Sequence, residues 1–232
     1  MLRRSFGGRW AGGLLRGGVL ALLMASQASA LPPGFVWLDA ARPEIAFEAR
    51  YASADNFLGR PVEGYGEPRI VVSEAVAEGL ARAAADLAKD GLGLKVFDSY
   101  RPQRAVDHFV RWAGDEADTV TKARHYPRIA KRDLIPQGYI AARSGHSRGA
   151  AVDLTLISLE TGQELPMGTP FDFFGPESAS EHPHPDPQAV ANRARLRAAM
   201  VRAGFKPLKE EWWHFSLETE PFPDQYFDFP LE

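Results

Sequence analysis

The sequence contains no cysteine, and this absence excludes three kinds of site at once. Without thiols the chain forms no disulfide, offers no thiolate to a metal ion and has no cysteine nucleophile. Any metal site must therefore be built from histidine and carboxylate side chains. The six histidines and thirty acidic residues of the chain supply such ligands.

A long hydrophobic run is also missing from the amino-terminal region. Its apolar stretch, residues 17–24, is shorter than the roughly 20 residues of a membrane-spanning helix. Four arginines precede this stretch, namely Arg3, Arg4, Arg9 and Arg16. Small residues at 28–30 resemble a cleavage site. We predict a signal peptide over residues 1–30 and an exported, periplasmic domain over residues 31–232. An uncleaved membrane anchor is the alternative, and the export route stays open.

Excess positive charge is the third feature that the chain lacks. The formal net charge is −3, and removal of residues 1–30, with four arginines and no acid, would make it −7. An acidic domain is a poor partner for nucleic acid or for an anionic membrane. We therefore expect neither partner, and no stable membrane association after cleavage of the signal peptide.

Helical and strand patterns are mixed along the rest of the chain. Helices are predicted from a Ser73 cap to about Lys89, from Pro102 to Gly114, and from Asp186 and Pro187 to near Gly204. Strands are predicted at 43–51, 94–97, 139–142, 150–156 and 211–217. Residues 51–66 are predicted to be a loop and residues 171–187 a surface loop, whereas residues 115–136 are ambiguous. Because the two patterns do not alternate strictly, an α+β fold in one domain is favoured.

The first cluster of chemically active residues is Ser144–Asp153. His146 lies beside two glycines and is predicted on a turn before a strand. Alternation along that strand separates two sets of side chains, namely Val152, Leu154 and Leu156 from Ala151, Asp153 and Thr155. A carboxylate buried in such a strand needs a cation, a metal ion or several hydrogen-bond donors. A metal ion would satisfy Asp153, and His146 can reach the same ion.

The second cluster is the segment Glu211–His214, which contains two tryptophans. Residues three apart on a regular strand face opposite sides. Glu211 and His214 can therefore share a site only if the chain bends near Trp212. We predict Glu211 at the entrance of the strand and His214 within it.

Two histidines, one carboxylate and an open position are typical of a catalytic zinc site. We predict one Zn²⁺ per chain, bound by His146, Asp153 and His214, with Glu211 as the general base. Imidazole and carboxylate ligands also allow other divalent ions. Taken singly, each residue has an ordinary alternative as a hydrogen-bonded histidine, a capping aspartate or a solvated glutamate.

The other four histidines are predicted to lie outside this site. His182 and His184 form a rival pair in a proline-rich segment, but no carboxylate has a clear structural role beside them. We interpret both as loop residues. His108 and His125 are predicted at helix surfaces or edges.

The combined motif resembles that of the zinc D-alanyl-D-alanine dipeptidases of the VanX type. The matching residues are Ser144, His146, Gly149, Ala151, Asp153, Glu211 and His214. Three further segments resemble the family, namely Asp98–Pro102, Met167–Asp172 and Tyr51–Tyr65. The resemblance therefore covers about residues 36–230. Related carboxypeptidases share the zinc motifs, whereas the segments of Arg101 and Asp172 narrow the choice to dipeptidases.

The resemblance implies a central antiparallel sheet that carries the zinc site and is flanked by helices. It implies hydrolysis of D-alanyl-D-alanine, or of a peptidoglycan fragment, by a zinc-activated water. Glu211 would accept the proton and Arg101 would stabilise the transition state. Asp172 would bind the substrate ammonium, and Ser144 would bind the substrate carboxylate.

The predicted signal peptide departs from the glycopeptide-resistance members of that family, which act in the cytoplasm. It favours cell-wall turnover over a resistance role and keeps alternatives open. One is an exported zinc D,D-carboxypeptidase or muropeptide endopeptidase with the same metal site. Another is a non-catalytic wall-binding module that keeps zinc for structure.

Overall fold

The structure is a computed structural model that describes residues 1–2, 30–183 and 185–232. Most of the predicted signal peptide and His184 lie outside the described residues. Within these ranges, no helix combines the length and apolar character that a bilayer crossing would require.

The described residues form a five-stranded sheet, a two-stranded sheet and flanking helices. The strands are β1 (Phe35–Trp37), β2 (Ala46–Phe47), β3 (Val71–Ser73), β4 (Leu92–Asp98), β5 (Ala151–Ser158), β6 (Phe205–Pro207) and β7 (His214–Leu217). The α-helices are α1 (Leu38–Ala41), α2 (Glu74–Leu87), α3 (Gln103–Gly114), α4 (Lys122–His125) and α5 (Pro187–Arg202). The larger sheet has the order β2-β4-β5-β7-β6, and β1 pairs with β3.

The predicted α+β fold is confirmed, and its sheet is antiparallel except at one edge. Strands β4, β5, β7 and β6 pair in antiparallel fashion, whereas β2 joins β4 in parallel. Strand β5 lies at the centre and is buried along almost its whole length. Its residues Val152, Leu154 and Leu156 join the main hydrophobic core. Asp153 is buried as well, but does not belong to that apolar cluster.

The predicted helix caps are confirmed at two helices. The Ser73 side chain accepts a hydrogen bond from the Val76 amide, which satisfies one of the free N–H groups in the first turn of α2. Asp186 caps α5 in the same way through the Gln188 amide, with Pro187 as the first helical residue. Pro102 lies one position earlier than predicted, because it immediately precedes α3.

Two strand predictions are wrong because local turns replace them. The strand predicted at 43–51 shrinks to the two residues of β2, and a 3-10 turn begins at Arg50. Residues 139–142 form no strand. The amides of Tyr139 and Ile140 both bond to the Leu134 carbonyl, so that the chain curls back after Gly138, which has a φ of 82°.

The structure also defines the polar segments 115–136 and 171–187. The ambiguous segment 115–136 contains the short helix α4 and a 3-10 turn at Lys131–Asp133. The segment 171–187 is a loop, but its first part is buried rather than exposed. Phe171 and Phe174 pack against the rings of Tyr51 and Phe57, which holds this part of the loop in the interior.

Gly149 occupies a tight position just before β5, directly after the turn that carries His146. Its φ is +64°, and a β-carbon there would lie 2.7 Å from the Phe35 ring. We expect Gly149→Ala to lower the free energy of unfolding by about 2–4 kcal/mol, because backbone strain and a steric clash add. Urea unfolding followed by circular dichroism measures this loss.

Gly91 offers a matched control for that substitution. Its φ is +70°, but a β-carbon there would meet no atom within 4 Å. Gly91→Ala should therefore cost only the strain, about 1–2 kcal/mol. Equal losses in the two variants would show that contact with Phe35 contributes nothing.

Candidate active site

His146 is held by the turn that precedes β5. It begins a 3-10 turn at His146–Arg148 and is 1% exposed. Its Nδ1 donates a hydrogen bond to the carbonyl of Ser99 at 2.7 Å. This bond assigns the ring proton to Nδ1 and leaves the Nε2 lone pair free to act as a ligand.

Asp153 and His214 are brought together by the register of the sheet. They are directly paired residues on β5 and β7, so their side chains lie on the same face. Asp153 Oδ1 lies 3.0 Å from His214 Nδ1, and Asp153 Oδ2 lies 3.4 Å from His146 Nε2. The facing nitrogens of the two histidines are 3.1 Å apart. Although burial opposes its ionisation, the adjacent His146 holds the pKa of Asp153 well below its usual range.

These three side chains could hold a metal ion. Their candidate ligand atoms all lie within 4.8 Å of one another. A tetrahedral zinc ion with bonds of about 2.0–2.1 Å separates its ligand atoms by about 3.3–3.4 Å. The 3.1 Å between the histidine nitrogens agrees with this spacing to within a few tenths of an ångström, and the two Asp153 oxygens lie 3.0 and 3.4 Å from one histidine nitrogen each. Two imidazoles and one carboxylate leave a fourth position open, as in catalytic rather than structural sites.

Glu211 reaches the same site from a bend before β7, as predicted. The chain turns through Trp212 and Trp213 and enters the strand at His214. This turn places Glu211 Oε2 3.9 Å from His214 Nδ1. Burial, reinforced by the negative charge of Asp153, raises the pKa of Glu211 to about 8. A carboxylate in such surroundings has a strong tendency to accept a proton.

Arg101 is fixed beside the cluster by Asp98 and Asp153. Its Nε donates to Asp98 at 2.9 Å, and its Nη2 lies 3.3 Å from Asp153 Oδ2. The guanidinium also lies over the rings of Tyr51 and Phe109, at 5.1 and 5.0 Å. With a side chain only 12% exposed, Arg101 presents a fixed positive charge to the cleft.

Asp172 is a buried carboxylate in an unusual backbone conformation. Its φ is 59°, in the left-handed region, and the residue is 4% exposed. The Tyr51 hydroxyl lies 3.1 Å from each carboxylate oxygen. Burial, followed by the charge of Asp153, raises the pKa of Asp172 well above its usual range. A cationic ligand would offset the free-energy cost of burying the ionised carboxylate of Asp172.

A single cleft of about 270 Å³ joins these groups. It is lined by the predicted residues Arg101, Ser144, His146, Asp153, Asp172, Glu211 and His214. Sites for drug-sized ligands usually have volumes of roughly 300–1,000 Å³. The cleft is therefore of a size that suits a molecule smaller than a typical drug.

Comparison with known proteins decides the family. Residues 32–232 match the family described as D-ala-D-ala dipeptidase. The chain belongs to this family. It is 47% identical over 197 residues to a D-alanyl-D-alanine dipeptidase of Streptomyces coelicolor, covering 85% of this chain and 98% of the relative. It is 43% identical over 199 residues to one of Enterococcus faecium, with 86% and 98% covered. An Escherichia coli dipeptidase is 33% identical over 175 residues, with 75% and 80% covered.

Membership in the D-ala-D-ala dipeptidase family confirms the predicted resemblance and makes the chain a peptidase. Ser144, which the family motif contains, accepts a hydrogen bond from the His146 amide at 3.2 Å and is half-buried. Its hydroxyl thus supports the turn of His146 at the edge of the cleft.

No role was predicted for Asp98, although it belongs to the segment that contains Arg101. It is fully buried and binds both Arg101 and the Tyr65 hydroxyl, the latter at 2.7 Å. A signal existed, because an acidic residue at the end of an apolar strand is itself unusual.

The structure describes three of the other four histidines, and each lies in different surroundings. The prediction for His125 is wrong, because it is 2% exposed and lies behind Asp172. His108 is half-buried and accepts a bond from the Glu63 amide. Among the described residues, His182 belongs to a loop and not to the metal-ligand group.

Proposed function

We propose that the protein hydrolyses D-alanyl-D-alanine to two D-alanines, using one zinc ion per chain. The observation that carries this proposal is the meeting of His146, Asp153 and His214 with Glu211 in one small cleft. The names of the relatives support the choice of substrate.

The chemistry divides between the ion and the side chains. Zinc, when bound, supplies a Lewis acid that polarises a carbonyl and lowers the pKa of a water ligand to about 7. The carboxylate oxygen of Glu211 accepts a proton from the attacking water, and Glu211 later donates this proton to the departing amine. Arg101 donates hydrogen bonds to the oxyanion that develops on the peptide carbonyl. Asp98 keeps the guanidinium of Arg101 in place for this task.

The two ends of the substrate provide the selectivity. In our proposal the Asp172 carboxylate pairs with the free ammonium group, and Ser144 binds the free carboxylate. A peptide extended at its amino terminus would leave Asp172 buried without its cation. Selection for a free dipeptide thus follows from the ion pair that only a free ammonium group makes with Asp172, since burial favours the protonated form of this carboxyl when no cation is bound.

We also propose export and a role in the turnover of cell-wall peptides. The basic and apolar residues 1–30 carry this proposal, and the family match begins only at residue 32. The mature domain would then comprise residues 31–232 and act on D-amino-acid peptides in the periplasm. Immunoblotting of periplasmic and cytoplasmic fractions would test this location.

A substrate panel tests the proposed activity. We expect zinc-loaded protein to cleave D-Ala-D-Ala with a kcat/KM at least about 100-fold above that for its N-acetyl derivative, which lacks the ammonium charge. Asp172→Asn should lower kcat/KM for the free dipeptide by about 10–100-fold, because a charge-assisted hydrogen bond is lost. The same change should have little effect on the N-acetyl substrate. Release of D-alanine is measured by chromatography.

The panel also decides between the proposal and its alternatives. Rapid cleavage of a muropeptide pentapeptide with little action on D-Ala-D-Ala would establish a carboxypeptidase or endopeptidase instead. Binding of wall fragments without hydrolysis of any substrate would establish a non-catalytic module.

A further inference from the structure

The loop that carries Asp172 is attached to the rest of the molecule at two points by one residue. His125, the last residue of α4, lies 47 positions earlier in the chain. Its ring Nδ1 is 2.9 Å from the carbonyl oxygen of Asp172. Its own carbonyl accepts a hydrogen bond from the amide of Phe174 at 2.6 Å. The backbone on both sides of residue 173 is therefore tied to His125.

The chemistry of the ring bond is fixed by its partner. A carbonyl oxygen only accepts hydrogen bonds, so Nδ1 of His125 must carry the proton. The second ring nitrogen, Nε2, is buried and has no hydrogen-bond partner among the described residues. Burial lowers the pKa of His125 and so favours the neutral ring. The side chain thus acts as a single, directed donor aimed at the Asp172 backbone.

The His125 ring donates its hydrogen bond to a residue with an unfavourable backbone conformation. Asp172 has a φ of 59°, which is unfavourable for a residue with a β-carbon. The peptide orientation at this residue determines where the carboxylate points. Tyr51 contacts the carboxylate itself, whereas His125 contacts only the main chain. The two residues therefore hold different parts of Asp172, and His125 is absent from the lining of the cleft.

We propose that His125 is a positioning residue that sets selectivity for a free amino terminus, by holding the Asp172 carboxylate in its binding orientation. This inference rests on the proposed pairing of Asp172 with the substrate ammonium. It assigns a specificity role to a histidine that contacts neither the substrate nor the metal ligands. The short helix α4 therefore contributes to substrate choice through the hydrogen bond that it makes behind the site.

Two amide substitutions distinguish a positioning role from a merely structural one. In His125→Asn the amide nitrogen takes a place close to that of Nδ1, so the bond to the Asp172 carbonyl is retained. In His125→Gln the amide nitrogen takes a place closer to Nε2, so the bond is lost while size and polarity change little. We measure kcat and KM on D-Ala-D-Ala and on N-acetyl-D-Ala-D-Ala, with zinc content and thermal unfolding measured on the same samples.

We expect His125→Gln to raise KM for the free dipeptide about tenfold, the loss of one hydrogen bond, with kcat nearly unchanged. Its rate on the N-acetyl substrate should stay the same, so the preference for the free dipeptide falls by the same factor. His125→Asn should keep the wild-type preference. An equal loss on both substrates in His125→Gln, or an unchanged preference, would overturn the inference.

Asp172→Asn in the same assay keeps this result separate from the proposed function. If wild-type protein does not prefer the free dipeptide, or Asp172→Asn keeps the preference, the proposed role of Asp172 fails first. If Asp172→Asn loses the preference while His125→Gln keeps it, only the role of His125 is refuted.

Discussion

Replacement of Glu211 by glutamine should lower kcat on D-Ala-D-Ala by about 10²–10⁴-fold, the usual contribution of a general base. The amide has the same shape as the carboxylate but cannot accept a proton from water. KM should change little, because the proposed substrate contacts at Asp172 and Ser144 stay in place. Steady-state kinetics on zinc-loaded protein measures both constants.

The neighbouring residue supplies a control for this substitution. Glu210 is exposed, whereas Glu211 lines the cleft, so Glu210→Gln makes the same change of charge one residue away. We expect Glu210→Gln to keep wild-type kcat. Retention of the wild-type rate by Glu211→Gln would refute the assignment of Glu211 as the base.

The zinc content of the Glu211→Gln variant shows whether Glu211 is a general base or a fourth metal ligand. Glu211 Oε2 is 3.9 Å from His214 Nδ1. The nearest oxygen and nitrogen atoms of the proposed ligands His146, Asp153 and His214 are only 3.0–3.4 Å apart. Glu211→Gln should therefore retain one zinc ion per chain while losing its rate. Above about pH 8, where the Glu211 carboxylate of the metal-free protein is ionised, the variant should also be no less stable than wild type, because a neutral amide removes the repulsion between Glu211 and Asp153.

The features that the sequence predicted well depend on neighbours along the chain. The Ser73 cap requires only the following turn, and the alternation in β5 requires only the geometry of a strand. The bend before His214 followed from strand parity and the need for Glu211 to reach the same site. In each case the deciding contacts lie within a few residues.

The features that were missed depend on contacts between distant segments. The direct pairing of Asp153 with His214 is a property of sheet register, which joins residues 61 positions apart. Nothing in the local pattern around His125 indicates that it would be buried behind Asp172. The strand predicted at 139–142 is the exception, because the amides of Tyr139 and Ile140 bond to the nearby Leu134 carbonyl, and this local turn outweighs β propensity.

Replacement of Asp153 by asparagine should remove the metal ion and, with it, the activity. Asp153 is the one charged ligand, and it lies 3.0 and 3.4 Å from the two histidine nitrogens that complete the set. An amide keeps the shape but supplies no negative charge to a divalent ion buried beside Arg101. Because loss of an outer-shell partner alone costs about 10–100-fold in metal affinity, we expect a loss above about 100-fold here. Metal analysis after dialysis, with dipeptide hydrolysis on the same samples, measures both effects.

Asp90→Asn is the matched control, because Asp90 is exposed beyond α2 and remote from the site in the fold. It should retain one zinc ion per chain and full activity. A chelator should abolish hydrolysis by wild-type protein, and added zinc should restore it, since all three proposed ligands, His146, Asp153 and His214, remain in place. Full activity of metal-free wild type would refute the zinc mechanism. Stoichiometric zinc in Asp153→Asn would instead leave the mechanism standing but remove Asp153 from the ligand set.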